Sequence, residues 1–223
     1  MGARPPTTGN PWLVPVTTFS TSSKRTRNPA QLDASASPRS DGPSMHLIWP
    51  PPLSFTATGP TVALAPDIEI LLQYAPSPRY ANIRSRYHTL LLLSAATTRA
   101  NSSSTMLHEV HVSVADQSEA LNVHTCYNYS LTVQDTAATI SACSIFGAAY
   151  GLEALVQLAG SDGMLPGRVA VHDAPRYAWR GLMIDAGRRF FPVPLVRNLL
   201  DTMAAIKVGK IARTAQSSHP SPC

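Results

Sequence analysis

The sequence predicts an α+β domain over residues 45–160, followed by a single strand-and-helix unit of the kind from which parallel sheets and barrels are assembled. Three observations lead there. Short stretches at 107–114, 127–133 and 137–142 have the length and the largely alternating pattern of strands, whereas 79–94 and 144–158 read as helices, the first with its apolar residues mostly three or four apart. Past residue 180 a short apolar strand is followed by a second change of period: Leu182-Met183-Ile184 is bounded by Gly181 and Asp185, and from Leu195 to Ile206 the spacing is helical.

Taken in order, residues 1–44 hold Pro5, Pro6, Pro11, Pro15, Pro29, Pro38 and Pro43 among Ser, Thr and Arg, with no hydrophobic periodicity. Such a segment cannot bury enough surface to offset its ordering entropy, so a disordered or targeting segment is expected. No secretory signal is recognisable, because Pro11 and Pro15 interrupt its most apolar part; the acid-poor Ser/Thr/Arg composition is compatible with a transit peptide. From Met45 to Pro66, apolar pieces split by Pro50-Pro51-Pro52 and Thr58-Gly59-Pro60 suit a strand, a turn and an edge strand. In the 79–94 helix Tyr80, Ile83, Tyr87, Leu90 and Leu91 form the apolar side, with Arg79, Arg84 and Arg86 on the wet side. The 144–158 helix is closed by Gly160 and Gly163. Residues 161–174 are expected to be a linker, and 175–207 to hold the strand and helix, punctuated by Pro192 and Pro194. An unstructured Ser/Pro-rich tail is expected over 208–223.

Composition excludes several classes. The net charge is +5, but only 14% of residues are charged and no run of Lys or Arg exceeds two, so the clustered cations that nucleic-acid binding requires are absent. Leu90-Leu91-Leu92-Leu93 is far too short to span a bilayer, and no transmembrane segment is expected. His108-Glu109-Val110-His111 resembles a zinc signature, but that signature needs histidines four apart on a helix; three apart on a strand, the two point to opposite faces. His124 is isolated, and no metal or cofactor is expected. Cys126, Cys143 and Cys223 make an odd count, leaving open whether Cys126 pairs with Cys143 or both are buried thiols. Asn101-Ser102-Ser103 and Asn128-Tyr129-Ser130 are glycosylation sequons of a kind that also arises by chance.

The stretch WRGLMIDAGRRFFP at 179–192, with LLDTMAAIK at 199–207, resembles the first strand and helix of the catalytic barrel of family 20 glycoside hydrolases, the β-N-acetylhexosaminidases. Upstream, His46-Leu47-Ile48-Trp49-Pro50 with Ser54-Phe55 is similar to the opening of the family's N-terminal domain, and Phe146 to Leu158 to the helix that ends it. The likeness extends to Lys207 or Val208, where the family's second barrel strand would bring a His-Trp-His segment.

The resemblance implies an α+β N-terminal domain with helices on one side of its sheet, then the truncated start of a (β/α)8 barrel. It implies removal of terminal β-linked N-acetylglucosamine or N-acetylgalactosamine with retention, the substrate's own acetamido oxygen acting as nucleophile. The family's general-acid Glu and the Asp before it lie on a later strand, so no catalytic residue is assigned here and no hydrolysis is expected from this polypeptide alone. Glu153, Asp162, Asp173 and Asp201 are the other acids near this region, and no two are adjacent. One position carries over: Arg180 matches a substrate-binding arginine, whose planar fork holds two sugar hydroxyls at once. Asp185 and Arg188 are expected to fix the loop after the strand. Relatives of this type are secreted, lysosomal or vacuolar. The alternative reading is a non-catalytic partner module that associates with a full-length homologue.

Overall fold

The structure, a computed structural model, describes residues 48–98 and 104–214. In chain order its elements are β1 (Ser54–Gln73), α1 (Pro78–Ala96), β2 (Met106–Asp116), β3 (Tyr129–Gln134), β4 (Ala137–Ser144), α2 (Ile145–Ala159), β5 (Met164–Asp173), β6 (Gly181–Asp185), α3 (Val193–Ala205) and β7 (Lys210–Thr214). The expected segment 1–44 lies outside the described residues.

β1 closes the first sheet on itself. Its first half, from Ser54, pairs antiparallel with β5, and its second half, from Ala63 to Gln73, pairs parallel with β2. β2 continues to β4, β4 to β3 and β3 back to β5, so the ring runs β1–β2–β4–β3–β5. Of the strand, turn and edge strand expected over 45–66, residues 54–66 belong to one continuous strand. The residues that suggested a turn form a bulge: Gly59 and Pro60 stand opposite the single Gly167, between the pairs Thr58–Arg168 and Thr61–Pro166. Gly59 adopts φ +81°, and a Cβ on Gly167 would lie 2.7 Å from the Pro60 carbonyl oxygen, so both positions call for glycine.

One face of the sheet is apolar. Val110, Val112, Leu131, Val133, Ala138, Ile140, Val169 and Val171 are buried, while Thr139, Ser141, Arg168, Ala170 and His172 alternate with them outward. α2 and α1 cover that face with Leu152, Leu155 and Leu158 and with Tyr87, Leu91 and Ala95. Each fully buried Leu contributes roughly 1.5–3 kcal/mol. The helices start where side-chain caps allow: Ser77 Oγ accepts from Tyr80 N, with Pro78 opening α1, and Ser144 Oγ accepts from Gly147 N. This is the expected sheet with helices on one side. A disulfide joins Cys126 to Cys143 across the start of β3 and the end of β4.

Two expectations are corrected. Residues 164–173 of the supposed linker are β5, which pairs with both β1 and β3; Pro166-Gly167 reads as a break, yet Pro166 is tolerated because the ladder is irregular there. Lys210–Thr214 of the supposed unstructured tail is β7, parallel to β6 from Gly181–Lys210 to Asp185–Thr214. KIART carries one large apolar residue, too little to announce a strand, and its partner β6 supplies the order. β6, α3 and β7 thus form a βαβ unit.

Candidate functional site

The site lies where the βαβ unit meets α2. Arg180, immediately before β6, is half-buried between two rings, its guanidinium 5.2 Å from the centres of both Tyr127 and Tyr150. Its Nη2 donates to Tyr150 Oη at 3.3 Å, and the two tyrosines stack 5.2 Å apart. Burial raises both phenol pKa values, and the Arg180 charge pulls each part of the way back. Arg180 Nε is buried with no hydrogen-bond partner among the described residues. Beside it opens a cleft of about 280 Å³ lined by Pro50, Pro51, Tyr150, Asp173, Arg176 and Lys207 among others.

Lys207 anchors the far end of the unit. It follows the C-cap of α3 at φ +58°, and Lys207 N donates to Ala204 O and Val208 N to Met203 O, the paired bonds that usually place glycine here. A lysine holds this conformation at a cost of about 1–2 kcal/mol, and its side chain supplies the reason. It is 2% exposed, with Nζ donating to Tyr129 Oη at 2.8 Å and to Asp173 Oδ2 at 3.1 Å. Burial lowers the ammonium pKa; Asp173 opposes that shift, with a smaller push from Glu153, while Arg180 adds to it. Tyr150 Oη donates to the Lys207 carbonyl.

Gln157 on α2 ties three segments together. Its Nε2 donates to Ala205 O at the end of α3 and to Glu153 Oε1, and its Oε1 accepts from Trp49 N. Glu153 is 4% exposed, and its charge adds to burial in raising the pKa of the Tyr87 hydroxyl. Arg86 on α1 reaches Asp201 on α3 at 2.7 Å, though both ends are exposed and the pair contributes little.

Among the described residues the carboxylates at this junction are engaged: Asp173 by Lys207, Asp185 by Arg188 and the Gly187 N–H, Asp201 by Arg86, and Glu153 by Gln157. Among the described residues no two carboxylates lie together on the cleft. His108 and His111 contact different carboxylates, Asp67 and Glu109. No helix among the described residues is long and apolar enough to cross a membrane. The Lys207, Tyr129 and Asp173 set went unread in the sequence, since Asp173 fell in the supposed linker and a lysine gives no sign of burial.

An α+β domain followed by a parallel βαβ unit docked on its second helix defines a class by architecture alone, proteins in which an α+β domain precedes the start of an α/β domain. The beta-acetyl hexosaminidase like family model matches residues 17–158, and the glycosyl hydrolase family 20 catalytic domain model matches 177–212. The chain belongs to the family 20 β-hexosaminidases. The first match begins within the 1–44 stretch, and the second passes Lys207, so the likeness extends further at both ends than the residues quoted above.

The chain is 26% identical over 166 residues to beta-hexosaminidase subunit B2 of Dictyostelium discoideum, covering 70% of this chain and 29% of that protein. It is 36% identical over 121 residues to the beta-hexosaminidase of Emericella nidulans, covering 52% and 20%. Among solved structures it is similar to the chitobiase of Flavobacterium johnsoniae, with a TM-score of 0.60, 25% identity, and coverage of 75% and 26%. The N-acetyl-beta-hexosaminidase of Streptomyces plicatus shares the fold at a TM-score of 0.55 and 21% identity, with coverage of 76% and 34%. The chain spans between about a fifth and a third of the lengths of these relatives.

Proposed function

We propose that these residues serve a β-N-acetylhexosaminidase that hydrolyses terminal non-reducing N-acetyl-D-hexosamine from β-N-acetylhexosaminides with retention of configuration. The observation that supports this is the docked βαβ unit, most of whose residues fall in the 177–212 stretch that resembles the family's catalytic domain and follow the 17–158 stretch that resembles its accessory part. Residues 45–160 are read as the body of the accessory domain and 175–214 as the first barrel unit. In the reaction the acetamido oxygen of the substrate attacks the anomeric carbon, an acid protonates the leaving oxygen, and a neighbouring carboxylate stabilises the oxazolinium formed. Those two carboxylates come from later barrel strands. Arg180 contributes substrate binding, because its fork has donors beyond the one given to Tyr150.

By this reading the 223 residues alone do not hydrolyse glycosides. Purified chain mixed with 4-nitrophenyl N-acetyl-β-D-glucosaminide should release no nitrophenol above buffer, and release would overturn it. In a folded chimaera continuing after Thr214 with the barrel of the Flavobacterium johnsoniae chitobiase, hydrolysis should return. There Arg180→Ala should lower kcat/KM on the order of 10²-fold, as two charge-assisted hydrogen bonds of about 1.5 kcal/mol imply; an unchanged value would remove Arg180 from the site. A second reading, association with a full-length homologue, draws on the apolar residues left uncovered on the βαβ unit, Phe190 at 83% and Met183 at 62% exposure. Co-purification with an intact hexosaminidase tests it.

A further inference from the structure

We propose that the Cys126–Cys143 disulfide is an exchange site for a dithiol, and that opening it releases the βαβ unit from the accessory domain. The bond sits where the two parts meet. Tyr127 and Tyr129 come within three residues after Cys126, and α2 begins two residues after Cys143. Tyr127 is buried, stacked on Tyr150 at 5.2 Å and tilted against Phe146 at 6.1 Å, with the Arg180 guanidinium 5.2 Å from its ring. Tyr129 receives the hydrogen bond from Lys207 Nζ. Ser144 Oγ donates to Cys126 O and accepts from Gly147 N, so one hydroxyl links this segment to the helix that carries Tyr150 and Gln157.

The segment is closely seated and lightly held. A Cβ on Gly147 would lie 2.7 Å from Asn128 O and 3.2 Å from Tyr127 C, so residues 127–128 rest directly on the first turn of α2. At such close packing a small shift already forfeits contact. Yet the segment arrives from a loop in which Leu121, Asn122, Val123 and His124 are exposed. Among the described residues the hydrogen bonds of 120–125 all stay within 118–125. Ladder pairing begins only at Tyr129. Between loop and ladder the ties are the Ser144 bond, the bond from Cys143 N to Asn128 O, and the disulfide, and only the last is covalent.

The bond is also within reach. Cys126 and Cys143 are half-buried, and Cys143 lines a shallow, mostly apolar groove of about 250 Å³ that opens to solvent beside Asn128 and Ala142. Exposed disulfides are the ones that exchange readily. In the exchange, one thiolate of the dithiol attacks Cys143 Sγ, the bond to Cys126 Sγ breaks, and Cys126 leaves with the electron pair and takes up a proton. The second thiolate of the reductant then attacks its own sulfur in the mixed disulfide, and Cys143 leaves in the same way. Two electrons pass to the protein, and the reductant becomes a disulfide. Tyr127 is then free to leave Tyr150 and Arg180 without moving β4.

The test treats the folded chain with dithiothreitol, alkylates one portion with iodoacetamide for peptide mapping, and follows amide exchange in both. Cys126 and Cys143 should become alkylated. Exchange along α3 should rise roughly tenfold, the factor that loss of the Tyr127 ring contacts implies, while β2 and β4 change by less than about twofold. Reoxidising the portion left unalkylated should restore slow exchange. Cys126→Ser combined with Cys143→Ser should show fast α3 exchange without reductant, and Cys223→Ser should respond as the wild type does. A bond that stays closed in the folded chain, α3 exchange unchanged once it is open, or β2 and β4 rising along with α3 would each overturn the proposal.

Discussion

Replacing Lys207 by Met keeps most of the length of the side chain and removes the charge together with its hydrogen bonds to Tyr129 and Asp173. Asp173, with 14% of its side chain exposed, then stays buried against Tyr129 without its cation. Breaking one side of a buried ion pair costs about 3–5 kcal/mol, far more than the pair gains over an apolar equivalent. For a domain of this size that corresponds to a fall in Tm of roughly 6–20 °C. Because Lys207 belongs to the βαβ unit and its partners to the accessory domain, the loss should appear first as undocking. Amide exchange along α3 should rise towards that of an open helix while β2 and β4 stay protected, and urea unfolding should report the remainder. Adding Asp173→Asn removes the orphaned charge and should recover part of the loss. Lys207→Gly separates the backbone from the side chain: it relieves the φ of +58° yet should still destabilise, since the relief of about 1–2 kcal/mol is smaller than the loss. A urea midpoint and α3 exchange unchanged in Lys207→Met would refute the anchoring role.

Other outcomes follow from the same structure. Reducing the Cys126–Cys143 disulfide, which spans 17 residues, should cost about 3 kcal/mol in urea unfolding, the chain-entropy value for a loop of that length. Gly151→Ala puts a Cβ 2.6 Å from Ile140 Cγ2 and 3.2 Å from Tyr129 Cδ2, and overpacking should lower stability by about 1–3 kcal/mol. Stability should fall as pH rises above 10.0: burial pushes the hydroxyls of Tyr87 and Tyr129 up, so the unfolded chain loses those protons first. Lys207 acts the other way below 10.5, because its lowered pKa leaves the unfolded chain binding more protons; urea midpoints against pH, with tyrosinate absorbance, should show the tyrosines dominating.

Most of the accessory domain was readable because its elements bury one face and keep the other wet. α1, α2, β2 and β4 fall within two residues of the spans that periodicity gives. What escaped shares a physical cause: order imposed by partners distant in sequence. β5 fell in the expected linker 161–174; it carries Pro166-Gly167 inside it, and the bulge that accommodates them, at Gly59-Pro60, is more than 100 residues away in the chain. β7 has almost no apolar content and exists by pairing with β6. At the site, Arg180 was recognisable as a residue type in a known setting, but its position between Tyr127 and Tyr150 depends on packing that no local pattern encodes.

The ring of strands has a consequence for synthesis. Since β1 and β3 both need β5, neither can complete its ladder until the ribosome has passed Asp173, and only six residues then separate that point from Arg180. A nascent chain shorter than this holds two strands with unsatisfied edges, the state most open to pairing with other chains. The accessory domain is thus sealed as β5 leaves the ribosome, just ahead of the first barrel unit, which emerges onto a platform that is already finished.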